Sequence, residues 1–247
     1  GEPCKTTQGH PGYYSFCIAE DPDNDTWEPL HVEQGYKPGD TVVTVTAVEG
    51  PRLVGNGAGL NWDPAAGLGE GWSDFYALSL LNNTNADNPN GNYAAGAYAT
   101  YKLGGLLDNY VYGIRRFPYS TNHAVNPMTW ADVDDVTNNL DGGIAPSPLT
   151  FNNNGGMEVH NSGEIWALTL WGVRARVIAD PAGANGSVPT GNQTMLRLVT
   201  DGLKMTPIDP TFVEARDAII DADCATNACA NEASIWAGFA DRGLGYG

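Results

Sequence analysis

The chain is poor in positive charge, in sulfur and in long apolar runs. Twelve basic residues stand against twenty-nine acidic ones, for a formal charge of −17. Such a surface repels phosphate backbones and anionic membranes, so nucleic acid and membrane surfaces are excluded as expected partners. No apolar stretch approaches the roughly 18 residues that a membrane span needs; Ile165 to Leu168 is soon broken by Thr169 and Gly172. No signal peptide is visible and the chain opens at Gly1, which suggests a processed or truncated product. Four cysteines are too few for a disulfide scaffold and none has C-x-x-C spacing, so a cysteine zinc site is not expected. They form two close pairs, Cys4 with Cys17 and Cys224 with Cys229, which read as local disulfides of an oxidising, extracellular compartment or as reduced buried thiols.

What is present is acid, glycine, asparagine and proline, with a hydrophobic content of 42% that supports ordinary globular packing. Four N-x-S/T sequons begin at Asn24, Asn82, Asn185 and Asn192; they permit glycosylation if the chain is secreted, though an Asn-rich sequence also generates them by chance. Residues 1–51 are polar and turn-rich and end in alternating Val and Thr from Val43 to Val48, a period-2 pattern that reads as a half-buried strand. Within this segment Asp21, Asp23, Asp25 and Glu28 place oxygen ligands at near-alternate positions. They could wrap Ca²⁺ or stand as a solvated acidic turn.

Residues 52–247 read as mainly α. Helices are expected over 68–81, 93–112, 127–140, 161–180, 191–204, 209–222 and 231–241, with a Gly/Asn/Pro loop over 141–156. The 161–180 helix is apolar nearly all round and should be central, with Asn161 and Glu164 as a capping box. Asp209 as cap and Pro210 at the first position should open the next-to-last helix.

Two constellations carry chemistry. Glu70 and Asp74 stand four apart, so a helix projects both carboxylates from one face, where one could bind a metal and the other orient a ligand. His160 follows a Gly-rich stretch just before the buried helix, where it could face a cleft or serve as an ordinary structural histidine.

Five ordered motifs then join these constellations. Gly-Glu-Gly-Trp-Ser-Asp at 69–74, Val-His-Asn-Ser-Gly-Glu-Ile-Trp-Ala at 159–167 and Asp-Gly-Leu-Lys at 201–204 are followed by Pro-Thr-Phe-Val-Glu-Ala-Arg-Asp-Ala-Ile at 210–219 and Ile-Trp-Ala-Gly-Phe-Ala-Asp-Arg-Gly-Leu-Gly at 235–245. In kind and order they resemble the fungalysin metallopeptidases, secreted zinc enzymes of the thermolysin type. The resemblance implies a helical, substrate-facing lobe over residues 52–247, with peptides or proteins as substrates. It implies Glu70 as a zinc ligand, Asp74 as support for a zinc-ligand histidine, and His160 as the group that stabilises the oxyanion. Gly113-Ile114-Arg115-Arg116-Phe117-Pro118-Tyr119 also looks like family sequence, with Arg115 or Arg116 facing substrate.

The family's remaining two zinc ligands and its general base come from an H-E-x-x-H helix just upstream of an Arg-Leu segment like Arg52-Leu53-Val54-Gly55. At that place the chain reads Val43-Thr44-Val45-Thr46-Ala47, and none of its four histidines, His10, His31, His123 and His160, begins an H-E-x-x-H. The expectation is therefore a peptidase lobe that is catalytically incomplete in this chain, whether as a fragment or as a pseudo-peptidase. The alternatives are a non-catalytic extracellular structural, adhesion or assembly protein that self-associates through the 43–48 strand, and a calcium-dependent binding module resting on 21–28.

Overall fold

The computed structural model describes residues 54, 59–97, 109–133, 144, 146, 147 and 158–246. The Val43–Val48 strand, the acidic segment 21–28 and the Cys4–Cys17 pair lie outside these residues. Within them the protein is mainly helical: α1 spans Ala65–Leu81, α2 Val159–Ala179, α3 Val188–Met205, α4 Phe212–Asn227 and α5 Glu232–Asp241. Single turns lie at Asn109–Tyr112 and Trp130–Val133, and Ala97 is also helical. No helix among the described residues is long and apolar enough to cross a membrane.

Helix α2 is the axis of the fold. Ile165, Trp166, Leu168, Leu170, Trp171, Val173, Val177 and Ile178 point to every side of it, so it must be covered all round, and each is at most 1% exposed. Helices α1, α3 and α5 pack on it, and α4 packs against α3 and α5. Trp166 is the hub, with ring centroids 6.0 Å from Trp72, 5.4 Å from Phe212 and 5.7 Å from Phe239. Where α1 crosses α2 the backbones nearly touch: a Cβ on Gly163 would lie 2.6 Å from the Gly67 carbonyl oxygen and 2.7 Å from Glu70 Cβ. One on Gly71 would lie 2.3 Å from the Gly163 carbonyl oxygen.

Several local expectations are corrected. The helix expected over 93–112 does not start at Tyr93: Tyr93 pairs antiparallel with Tyr119 and Ala95 pairs with Gly113, while Ala97 and Asn109–Tyr112 are helical and 98–108 lie outside the described residues. Small residues and tyrosines suit a helix locally, but at Tyr93 and Ala95 long-range backbone pairing wins. Pro127 opens no helix, because the buried Asn126 carboxamide donates to the Pro118 carbonyl and accepts from the Met128 amide. Helix α2 begins two residues early, with the Glu158 carboxylate accepting from the His160 and Asn161 amides. Glu164 is thereby released from the expected capping box and turns inward.

Helix α4 begins after Asp209 and Pro210. Thr211 caps it, accepting from the Glu214 amide while Glu214 accepts from the Thr211 amide. Asp209, at φ 50°, instead accepts from the Asn61 amide at 2.6 Å. Removing the cap with Thr211→Ala is expected to lower stability by about 1 kcal/mol, read as a shifted denaturant midpoint at unchanged slope. The Cys224–Cys229 disulfide is formed at the end of α4, as the spacing suggested.

Candidate functional site

The α1–α2 crossing sets the candidate site. Glu70 precedes Gly71 and His160 precedes Gly163, so the close backbone approach brings these side chains together from segments ninety residues apart in sequence. His160 Nε2 lies 3.7 Å from Glu70 Oε2. Its other ring nitrogen, Nδ1, lies 2.6 Å from Glu158 Oε1. A carboxylate only accepts, so Nδ1 carries the proton and Nε2 is turned to the Glu70 side. Burial alone would raise the Glu158 carboxyl pKa, but hydrogen bonds from the His160 ring and amide and from the Asn161 amide hold it below the usual carboxylate value. The His160 side chain is 55% exposed and that of Glu70 32%, so the pair opens to solvent.

Beneath this open edge lies a buried ionic layer. Arg115 grips Asp74 with two donors, Nε to Oδ2 at 2.6 Å and Nη2 to Oδ1 at 3.1 Å. Such bidentate pairs fix geometry as well as charge. The Tyr119 hydroxyl also donates to Asp74 Oδ2. Burial pushes the Tyr119 phenol pKa well up, and the Asp74 charge pushes it further, so the phenol stays a donor. Burial alone would lower the Arg115 pKa; the Asp74 charge, Tyr119, the hydrogen bonds to Asp74 and the Glu164 charge together more than offset this and keep the guanidinium charged. Arg115 Nη2 lies 3.7 Å from the same Glu70 oxygen that faces His160.

Sequence reading and structure meet unevenly here. Glu70, Asp74, His160 and Arg115 come together. Arg116 turns away from that group: its Nε donates to Glu164 Oε2 at 2.9 Å and its Nη2 to the Asn161 carbonyl at 2.9 Å. Glu164, 1% exposed, also accepts from the Phe117 amide at 3.0 Å, so it locks the 115–119 segment onto α2. Glu158 and Tyr119 were not singled out as site residues from the sequence, and Glu164 was read only as half of a capping box. Glu158 carried a local signal, an acid two residues before a histidine at a helix start; the other two act through contacts more than forty residues long.

The relatives decide the family. The fungalysin metallopeptidase (M36) family matches residues 50–247. The chain belongs to the fungalysin family. It is 39% identical over 207 residues to extracellular metalloproteinase 3 of Arthroderma otae, covering 79% of this chain and 28% of that protein. The proteins of the same name from Trichophyton soudanense and Trichophyton rubrum are each 37% identical over 207 residues, with 46% and 28% of their lengths covered. The chain thus spans less than half the length of these relatives. Fungalysin peptidases are zinc-dependent and act on peptides or proteins.

The side chains assembled here do not fit a complete zinc centre. A catalytic zinc takes three protein ligands and keeps a fourth position for water. Among the described residues the open edge offers the Glu70 carboxylate and the His160 imidazole, whose Nδ1 is taken by Glu158, with the Arg115 cation 3.7 Å from Glu70. His123 pairs with Asp241 at 3.4 Å instead. Among the described residues, one group of three metal-binding side chains converges, Cys224, Cys229 and Glu232, and its two sulfurs are joined in the disulfide.

Proposed function

We propose that residues 52–247 form the helical lobe of a secreted fungalysin-type metallopeptidase, and that this chain by itself is catalytically incomplete. In this reading Glu70 stands where the family places its non-histidine zinc ligand, and His160 and Arg115 line the place where a peptide carbonyl would lie. The observation that carries it is the convergence of His160 Nε2 and Arg115 Nη2 on one Glu70 oxygen, each at 3.7 Å, at an open edge of the lobe. The Arg115 cation and an exposed imidazole preset there suit the negative charge that grows on a carbonyl oxygen under attack.

Incompleteness is supported by two features of this chain. No H-E-x-x-H occurs anywhere in the sequence, so neither the histidine pair nor the Glu base is supplied. Asp74, whose family role is to support a zinc-ligand histidine, has both oxygens taken by Arg115 and Tyr119. No proton-transfer or hydrolytic step is therefore assigned to the lobe alone.

Asp74 also favours a second reading, a non-catalytic extracellular protein for structure, adhesion or assembly. A carboxylate fully satisfied by arginine and tyrosine stabilises the lobe without metal. In that role residues 43–48 would supply a strand for self-association and Asp21, Asp23, Asp25 and Glu28 a calcium loop. Secretion is supported by the word "extracellular" in the relatives' names and by the disulfide.

The test is hydrolysis of a broad set of peptides and a denatured protein by the purified chain, with and without added zinc. The expected result is no cleavage that a chelator abolishes. Chelator-sensitive turnover that Glu70→Gln removes would refute the incomplete-site reading.

A further inference from the structure

Three of the four sequons fall on described residues, and the fold treats their asparagines very differently. Asn192 is fully buried, with 0% exposure. Its Nδ2 serves the Ser79 carbonyl at 2.9 Å, the Asn82 carbonyl at 2.7 Å and Asn83 Oδ1 at 3.1 Å, while its Oδ1 accepts from Arg174 Nε. That carboxamide ties α3 to the end of α1 and to the buried Arg174. A sugar on Nδ2 would remove a donor and force a large polar group into the core. Asn82, half-buried, donates from Nδ2 to the Leu78 carbonyl at 2.9 Å and closes the last turn of α1.

Asn185 is the opposite case. It sits in the tight turn between α2 and α3, where its amide donates to the Asp180 carbonyl at 2.8 Å and the Gly186 amide to the Ile178 carbonyl at 2.7 Å. The backbone at Asn185 is left-handed, φ 48°, a conformation that asparagine tolerates better than most residues. Its side chain is exposed and makes no hydrogen bond among the described residues. The neighbourhood is open: a Cβ built on Gly186 meets nothing within 4 Å. The sequon hydroxyl, Ser187 Oγ, is held on the surface by capping α3 at the Thr190 amide.

We propose that Asn185 is an N-glycosylation site of this protein and that Asn192, despite its sequon, stays bare in the folded chain. Asn185 Nδ2 forms a bond to the anomeric carbon of an oligosaccharide carried on a polyprenyl diphosphate. The bond from that carbon to the diphosphate oxygen breaks, its electron pair leaves on the polyprenyl diphosphate, and Nδ2 gives up one proton. A glycan there projects from the α2–α3 turn and disturbs no helix contact. The same transfer at Asn192 yields a chain that cannot close α3 onto α1.

The inference rests on the secreted part of the proposed function alone. Its test supplies the secretory route, so peptidase activity and the natural destination do not enter. The full chain is expressed behind a secretory leader in a glycosylating eukaryotic host. The secreted protein is treated with peptide N-glycosidase in ¹⁸O-water, which converts each glycan-bearing asparagine to labelled aspartate, and is then mapped by mass spectrometry. The expected result is label at 185 in most molecules and none at 192. Asn185→Gly, which suits the left-handed backbone, should fold and lose one glycan of mass, while Ser187→Thr should keep both cap and label. An unlabelled 185 peptide, or label at 192 in folded, secreted chain, would overturn the proposal.

Discussion

Gly163→Ala should lower stability by about 3 kcal/mol, toward the upper end of what overpacking costs. The added methyl would meet backbone, the Gly67 carbonyl oxygen at 2.6 Å and the Gly71 nitrogen at 3.0 Å, as well as Glu70 Cβ at 2.7 Å. None of these is the free end of a flexible chain, so α1 and α2 must separate as bodies. Gly172→Ala, on the same helix, is the control. There the nearest atom to the new Cβ is the Gly238 carbonyl oxygen at 4.0 Å, so helix propensity dominates and stability should rise by about 0.5–1 kcal/mol. Denaturant unfolding of the pair checks the sign difference. Gly163→Ala should also move Glu70 away from His160, visible as a change in the His160 ring resonances that Gly172→Ala does not produce.

Glu164→Ala should be the most damaging single change, at about 3–5 kcal/mol. It strands the Arg116 guanidinium, whose side chain is 10% exposed, and leaves the Phe117 amide without its acceptor. Much of the loss belongs to the orphaned charge rather than to the ion pair. Replacing both partners, as in Glu164→Leu with Arg116→Met, should therefore recover a large part of it, although the Phe117 amide stays unpaired. Equilibrium unfolding of the two single variants and the double closes that cycle. If the double variant is as unstable as the sum of the singles, Arg116 and Glu164 do not act as a unit.

The helical lobe was legible wherever one physical signal acted alone. Helix α2 could be read because its apolar residues leave no face for water, and α5 because a glycine at φ 85°, Gly243, stands just past its end. The last helices were placed within a few residues, but their caps were misassigned. Thr211 with Glu214 and Glu158 with His160 satisfy the helix starts, where Asp209 and Asn161 had the more usual side chains. The start of the 93–112 helix was placed too early because backbone pairing between Tyr93 and Tyr119 has no local signature.

The same division governs the site. Glu70 and Asp74 share a helix face by spacing, so their partnership was visible. The pairing of Asp74 with Arg115 spans forty-one residues and depends on the glycine crossing; nothing in the local sequence announces it. What marked Arg115 and His160 was resemblance to relatives. The absence of H-E-x-x-H was equally plain in the sequence, and the proposed incompleteness rests on it.

Metal stoichiometry tests that incompleteness most directly. The purified full chain is equilibrated with zinc, dialysed, and assayed for bound metal by native mass spectrometry, alongside Glu70→Gln. The account expects no stoichiometric zinc in either protein. One tightly held zinc per chain that disappears in Glu70→Gln would contradict it, because Glu70 would then have found ligands beyond those assembled at the α1–α2 crossing.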